Sequence, residues 1–322
     1  MRDLLIWDNH VCLPMRPDPA WFRALERHRQ AGASFVSINI GDAEIPLDTM
    51  LTMAQHFRAA IADAPDRYVL ATSIETVRQA QGDGRLAVAF DVEGLRAFGD
   101  DVGHVERVYQ LGVRWALVAY NRANLAGGGC HDADDQGLTP LGHRFLDEMD
   151  RVGMVICCSH TGYRTARDVL DRATRPVIFS HSNARALCDH PRNIPDGLIA
   201  RAAQTGGVVG INGLSVFLGG TDRMIERLLD HIEHVVDVAG PEHVGVSLDY
   251  VYDQEELCEQ LRAFQHVWPA GFGYDPSIRF IEPEALPAIA DGLAARNYSD
   301  AHVRGIMGEN FLRVAERVWK RP

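Results

Sequence analysis

Eight short apolar runs that lack polar alternation constrain this chain more than any other feature. They fall at 4–8, 34–40, 86–91, 114–119, 154–158, 176–180, 207–211 and 243–248. Runs of this kind read as strands buried on both faces, which is the habit of parallel sheets covered by helices. Between them lie amphipathic stretches at 21–31, 47–62, 139–152, 164–173 and 221–238. Eight strands alternating with helices predict a closed (β/α)8 barrel, and a length of 322 residues fits one such unit. The runner-up is a doubly wound open sheet. No glycine-rich dinucleotide fingerprint follows the first run, which counts against it. The expected organisation is a single barrel over 1–322. Long mouth loops are expected at 123–142, rich in Gly and Asp, and at 254–283, rich in Pro and Gly.

On such a barrel, function gathers at the C-terminal ends of the strands. The residues just past the apolar runs are His10 and Cys12, Glu93, Tyr120, His160, His181 and Asp249. Imidazole, carboxylate and thiolate are the ligand set of zinc and similar divalent ions. In an extended segment the side chains of His10 and Cys12 point to the same face, within reach of one ion. Cys12 also reads as a small core residue. Glu93 closes an apolar strand, where a carboxylate is costly to bury unless it pairs or binds a cation. It also reads as a helix cap, and Asp91 competes with it for the same role. His160 and His181 share one context: an apolar strand, a serine, the histidine, then a hydroxyl residue. His28, His56, His104, His231 and His234 lie in helical patterns and read as solvated or packing residues.

The formal net charge of −12 argues against nucleic acid and anionic membrane surfaces as partners. The six cysteines show no CxxC pairing, which reads as reduced thiols and a cytoplasmic protein. Cys157 and Cys158 sit in an apolar run and are expected in the core. No signal peptide, membrane-spanning stretch or hydrophobic tail is expected.

Taken together, several segments resemble the membrane (renal) dipeptidase family. They are Asp8-Asn9-His10-Val11-Cys12-Leu13-Pro14, Phe90-Asp91-Val92-Glu93-Gly94, Ser159-His160-Thr161, Phe179-Ser180-His181-Ser182-Asn183-Ala184, His190-Pro191-Arg192-Asn193, Val244-Gly245-Val246-Ser247-Leu248-Asp249-Tyr250 and, near the end, Gly305-Ile306-Met307-Gly308-Glu309-Asn310-Phe311-Leu312-Arg313-Val314. They occur in order over nearly the whole chain. The resemblance implies a zinc (β/α)8 barrel with a two-metal site. One ion is held by a first-strand His and its i+2 Asp, the other by the fifth- and sixth-strand histidines, with the third-strand Glu bridging. Carried over, these are His10, His160, His181 and Glu93. Asp249 matches the acid/base aspartate, and Arg192 the arginine that grips the substrate carboxylate, a role suited to its planar fork of donors. A homodimer is also implied.

Two departures stand out. The family's HxD is His10-x-Cys12 here, which brings a softer ligand and leaves one or two zinc ions per chain, or another divalent metal, as the expected cofactor. The His past strand four is replaced by Tyr120, which can donate to an oxyanion but cannot carry an imidazolium charge near neutral pH. The expected activity is hydrolysis of the amide bond of a dipeptide or dipeptide-like small molecule by a hydroxide on the metal, with Asp249 moving the proton. A non-peptide amide, lactam or ester is the alternative substrate. A catalytically weak metal- or ligand-binding barrel is the alternative from another class.

Overall fold

The protein, described here from a computed structural model over residues 4–42 and 44–320, is built on ten strands. They are β1 (Trp7–Cys12), β2 (Phe35–Asn39), β3 (Tyr68–Leu70), β4 (Leu86–Val92), β5 (Val113–Leu117), β6 (Val155–Cys157), β7 (Val177–Ile178), β8 (Val209–Asn212), β9 (Val244–Ser247) and β10 (Tyr250–Val251). All pairings between them are parallel. β1 runs beside β2, β2 beside β4, then β5, β6 and β7 follow in order. The Phe179–Val209 bridge joins the end of β7 to β8, and β8 pairs with β9. The ring closes where the Asp249 amide donates to the His10 carbonyl (3.2 Å) and β10 pairs with β1. This is the predicted (β/α)8 barrel.

Three boundaries differ from the sequence reading. The first strand runs to Cys12, so His10 and Cys12 lie within it rather than past it. A short strand, β3, lies against the first half of β4, with Tyr68 opposite Leu86. It was hidden because three residues carry no readable period. The stretch expected as a loop at 254–283 opens with a helix, Gln254–Ala263, capped by the Asp253 carboxylate on the Glu255 and Glu256 amides. The expectations for the extreme termini fall partly on residues 1–3 and 321–322, outside the described residues. No helix among the described residues is long and apolar enough to cross a membrane.

Packing explains why the runs lacked alternation. All seven residues of β4 are buried, as are all five of β2 and of β5. Each strand has the barrel interior on one face and the helices on the other. The floor is aromatic. Trp7 stacks on Phe35 with centroids 3.6 Å apart, and Phe311 from the closing helix Asn310–Val318 lies 6.3 Å from Trp7. Phe311 enters because β9 offers Gly245, where a Cβ would stand 2.5 Å from the ring. Cys157 and Cys158 are core residues, as expected. His28 and His231 are buried packing histidines. The former lies between Asp8 and Tyr252, and the latter accepts from the Ala184 amide.

Candidate metal and active site

The barrel rim brings six of the expected side chains to one point. β1 carries an irregularity against β2, where the register passes from Asp8–Val36 to Val11–Ile38. The extra residue re-aims the strand at His10, as bulges beside active sites do. His10 Nδ1 meets Asp91 Oδ1 at 3.1 Å, and Ser37 donates to the other oxygen of Asp91 at 2.6 Å. That fixes His10 Nε2 toward the barrel mouth. There it stands 3.4 Å from Cys12 Sγ, 3.6 Å from Glu93 Oε1 and 3.4 Å from Asp249 Oδ1.

The opposite side is built the same way from different partners. His160 Nδ1 is held by Asn121 Oδ1 (2.7 Å) and His181 Nδ1 by Ser180 Oγ (2.8 Å). Their Nε2 atoms converge to 2.9 Å and lie 3.4 and 3.2 Å from Glu93 Oε1. Glu93 therefore faces all three histidines, and its Oε1 is buried without a hydrogen-bond donor. Two overlapping groups have the spacing of a cation site: His10, Glu93 and His181, and His10, Cys12 and Asp249. An orphaned carboxylate oxygen among imidazole nitrogens whose far sides are already tied down fits a divalent ion.

The backbone at this rim is strained. Among the described residues, five non-glycine residues have positive φ, and three of them are Asn121 (54°), His160 (61°) and Asp249 (54°). Such conformations cost free energy and cluster where geometry serves function. Asp249 is further fixed by the Asn212 amide, which donates to Oδ2 at 2.6 Å.

Charge is distributed unevenly. Burial alone would lower His10, but the Asp91 carboxylate, Cys12 and Glu93 outweigh it and hold its pKa well above the usual histidine value. Burial, with the Arg192 guanidinium and His181 adding to it, keeps His160 well below that value. Burial and His10 do the same for His181. Glu93 and Asp249 are raised by burial, against the pull of His10. Burial pushes the Cys12 thiol up to about 12 despite the neighbouring His10.

Tyr120 stacks on the His160 ring (4.0 Å), and its hydroxyl oxygen accepts from Trp268 Nε1 at 3.2 Å. Arg192 is not brought to the cavity surface. It is buried, donates through Nη2 to the His181 carbonyl (2.9 Å) and lies 5.1 Å from the centroid of Phe217, a ring that does line the cavity. Its Nε is buried without a partner. The stretches at 123–142 and 254–283 meet over the rim, where His131 Nε2 pairs with the Tyr274 hydroxyl at 2.9 Å. Asn121, Ser180 and Asn212 drew no attention in the sequence as holders of the site. Each is a common polar residue whose partner, for Asn121 and Asn212, is more than thirty positions away. The one available signal was position, since all three lie at or just past a strand end. Asp91, read as a competitor of Glu93, is instead the group behind His10.

Comparison with known proteins shows what the whole chain is similar to. The profile described as membrane dipeptidase, peptidase family M19, matches residues 24–263. An uncharacterized dipeptidase of Schizosaccharomyces pombe is 32% identical over 258 residues, covering 77% of this chain and 56% of its own length. The dipeptidase verJ of Clonostachys rogersoniana is 31% identical over 255 residues, covering 79% and 61%. The chain thus spans a little over half the length of these curated relatives. A solved amidohydrolase structure from Pseudomonas aeruginosa superposes with a TM-score of 0.87 at 27% identity, covering 99% of this chain and 97% of that one.

Proposed function

The chain belongs to the membrane dipeptidase family, and on that premise we propose that it is a metal-dependent hydrolase of dipeptides or closely similar small amides. The observation that carries the proposal is Glu93. Its Oε1 is buried without a donor and stands within 3.6 Å of three histidine Nε2 atoms. A carboxylate in that setting calls for a cation.

The family implies a divalent metal. We propose zinc, held by His160, His181 and Glu93 on one side and by His10, Cys12 and Glu93 on the other. When bound, such an ion polarises a scissile carbonyl and lowers the pKa of a water. The remaining work falls to the chain. Asp249, fixed by Asn212 and 3.4 Å from His10 Nε2, takes the proton of the attacking water and passes it to the leaving nitrogen. Because Trp268 donates to the Tyr120 oxygen, the phenolic proton of Tyr120 is left to donate to the developing oxyanion. Arg192, with its unpartnered Nε, supplies positive charge behind the Phe217 ring for a substrate carboxylate. Assembly as a homodimer and residence in the cytoplasm complete the proposal.

The test combines metal analysis with a dipeptide assay. The purified parent is expected to hold two zinc equivalents per chain and to hydrolyse dipeptides, with one equivalent lost in Cys12→Ala and restored in Cys12→Asp. Asp249→Asn is expected to keep both ions and lose turnover by about a thousandfold, the scale of one general acid–base group. Full activity in that variant would remove Asp249 from its role. One equivalent in the parent, unchanged in Cys12→Ala, would remove Cys12 from the ligands.

A further inference from the structure

The donor cluster opens into a cavity whose composition narrows the substrate class. Cys12, Glu93, Tyr120, His160 and Asp249 form its inner end, so what fills the rest of it sits beside the reacting atoms. Much of the wall beyond that end is apolar, with Asn39, Gln260 and Tyr274 as its uncharged polar members. Met15 follows β1, Leu257 and Leu261 come from the helix Gln254–Ala263, and Trp268, Ile278 and Phe280 come from the segment after it. Trp268, Ile278 and Phe280 are each under 9% exposed, so these walls are packed into the protein rather than free to turn away. Apolar walls of this extent cannot solvate a charge, and they reward apolar area taken out of water.

The charged groups that line the cavity are equally one-sided. Beyond the donor cluster they are Asp42, Asp253 and Glu256, and among the described residues no lysine or arginine lines it. Asp253 and Glu256 are partly balanced by Arg16 outside the lining, through an ion pair with Asp253 and a 3.5 Å approach to Glu256. Among the described residues no cation pairs with Asp42, which accepts from the Glu44 amide at 3.0 Å. A second negative charge carried on a substrate side chain would enter an apolar space rimmed by carboxylates, with nothing to pair with.

We propose that the enzyme selects dipeptides carrying a large apolar side chain, leucine- or phenylalanine-sized, and rejects those with acidic side chains, with Leu257 and Gln260 on the cavity wall as specificity-determining residues. This rests on the dipeptidase reading of the same site. The selection does not depend on how many ions the site holds, because the selecting surfaces are the walls and not the ligands.

The experiment is a kcat/KM comparison on the zinc-loaded full chain with Leu-Leu, Leu-Phe, Ala-Ala and Asp-Glu. The apolar pairs are expected to exceed Ala-Ala by about ten- to a hundredfold, the range that hydrophobic pockets deliver, and Asp-Glu to fall below Ala-Ala. Gln260→Arg, at a half-buried position, and Leu257→Arg place a cation in the wall. Each is expected to narrow the gap between Asp-Glu and Leu-Phe by tenfold or more. Hydrolysis of all four at similar rates, or a gap that neither arginine changes, overturns the specificity while leaving the dipeptidase reading intact. Hydrolysis of none of them overturns both.

Discussion

The two sides of the donor cluster use the same imidazole and tune it in opposite directions. His10 has a carboxylate behind it, Asp91 at 3.1 Å. His160 and His181 have neutral groups behind them, the Asn121 amide at 2.7 Å and the Ser180 hydroxyl at 2.8 Å. All three rings are buried, and burial alone lowers all of them. What separates them is the sign of the neighbours: the Asp91 and Glu93 carboxyl groups for His10, against Arg192 and other histidines for His160. Opposite charges favour the protonated ring and like charges disfavour it. Cys12 stands on the acidic side, where Asp91, Glu93 and Asp249 crowd one ring.

The largest test of this division is Glu93→Ala, because Glu93 alone faces both sides. It is expected to lower metal content on both sides and activity by at least about a thousandfold, beyond the ten- to hundredfold typical of residues behind the ligands. Loss of only one equivalent would show that the sides do not share it. Next is Asp91→Asn, which leaves a hydrogen-bonding group behind His10 but removes the charge. Metal affinity should fall by about a hundredfold, as read by chelator competition. Ser180→Ala on the neutral side should cost no more than about tenfold in the same assay. An equal loss in the two variants would erase the distinction between a charged and a neutral support.

A separate effect, read in stability rather than in metal binding, concerns a histidine away from the site. Burial holds His231 at about 4. In the unfolded chain it titrates near 6.5, so acidification protonates the unfolded state first. Its contribution is therefore complete above about pH 6.5 and is lost as pH falls toward 4. That contribution is on the order of 3 kcal/mol at about 1.4 kcal/mol per pKa unit. His131, held by burial at about 3, and His190, at about 4, act in the same direction. His231→Gln should melt lower than the parent at pH 7 but lose less on going to pH 5. Equal losses in melting temperature would show that His231 does not drive the acid sensitivity.

Much of the fold was legible because it repeats. Buried parallel strands leave uninterrupted apolar runs, and all eight barrel strands overlap the stretches read from the sequence. The short β3 and the helix at the start of 254–283 escaped. The first has too few residues to show a period, and the second carries the Trp, Pro and Gly that follow it close behind. His10, Cys12, Glu93, His160, His181 and Asp249 were legible because a barrel puts strand ends on one rim. The groups that orient them were not. Asn121 reaches His160 across 39 positions and Asp91 reaches His10 across 81, and nothing in the spacing of such common residues marks the pair.

The amino-acid sequence by itself determined the barrel, its order of strands and which polar side chains stand at its mouth, because those follow from local periodicity and position along each strand. The tertiary structure alone decided which nitrogen of each histidine faces the cluster, that Arg192 stands behind Phe217 rather than on the cavity surface, and that the cavity is apolar with an acidic rim. Those properties depend on which distant groups come within about 3–5 Å of one another. Hydrogen bonds and charge–charge interactions at that range act through space, and separation along the chain carries no trace of it.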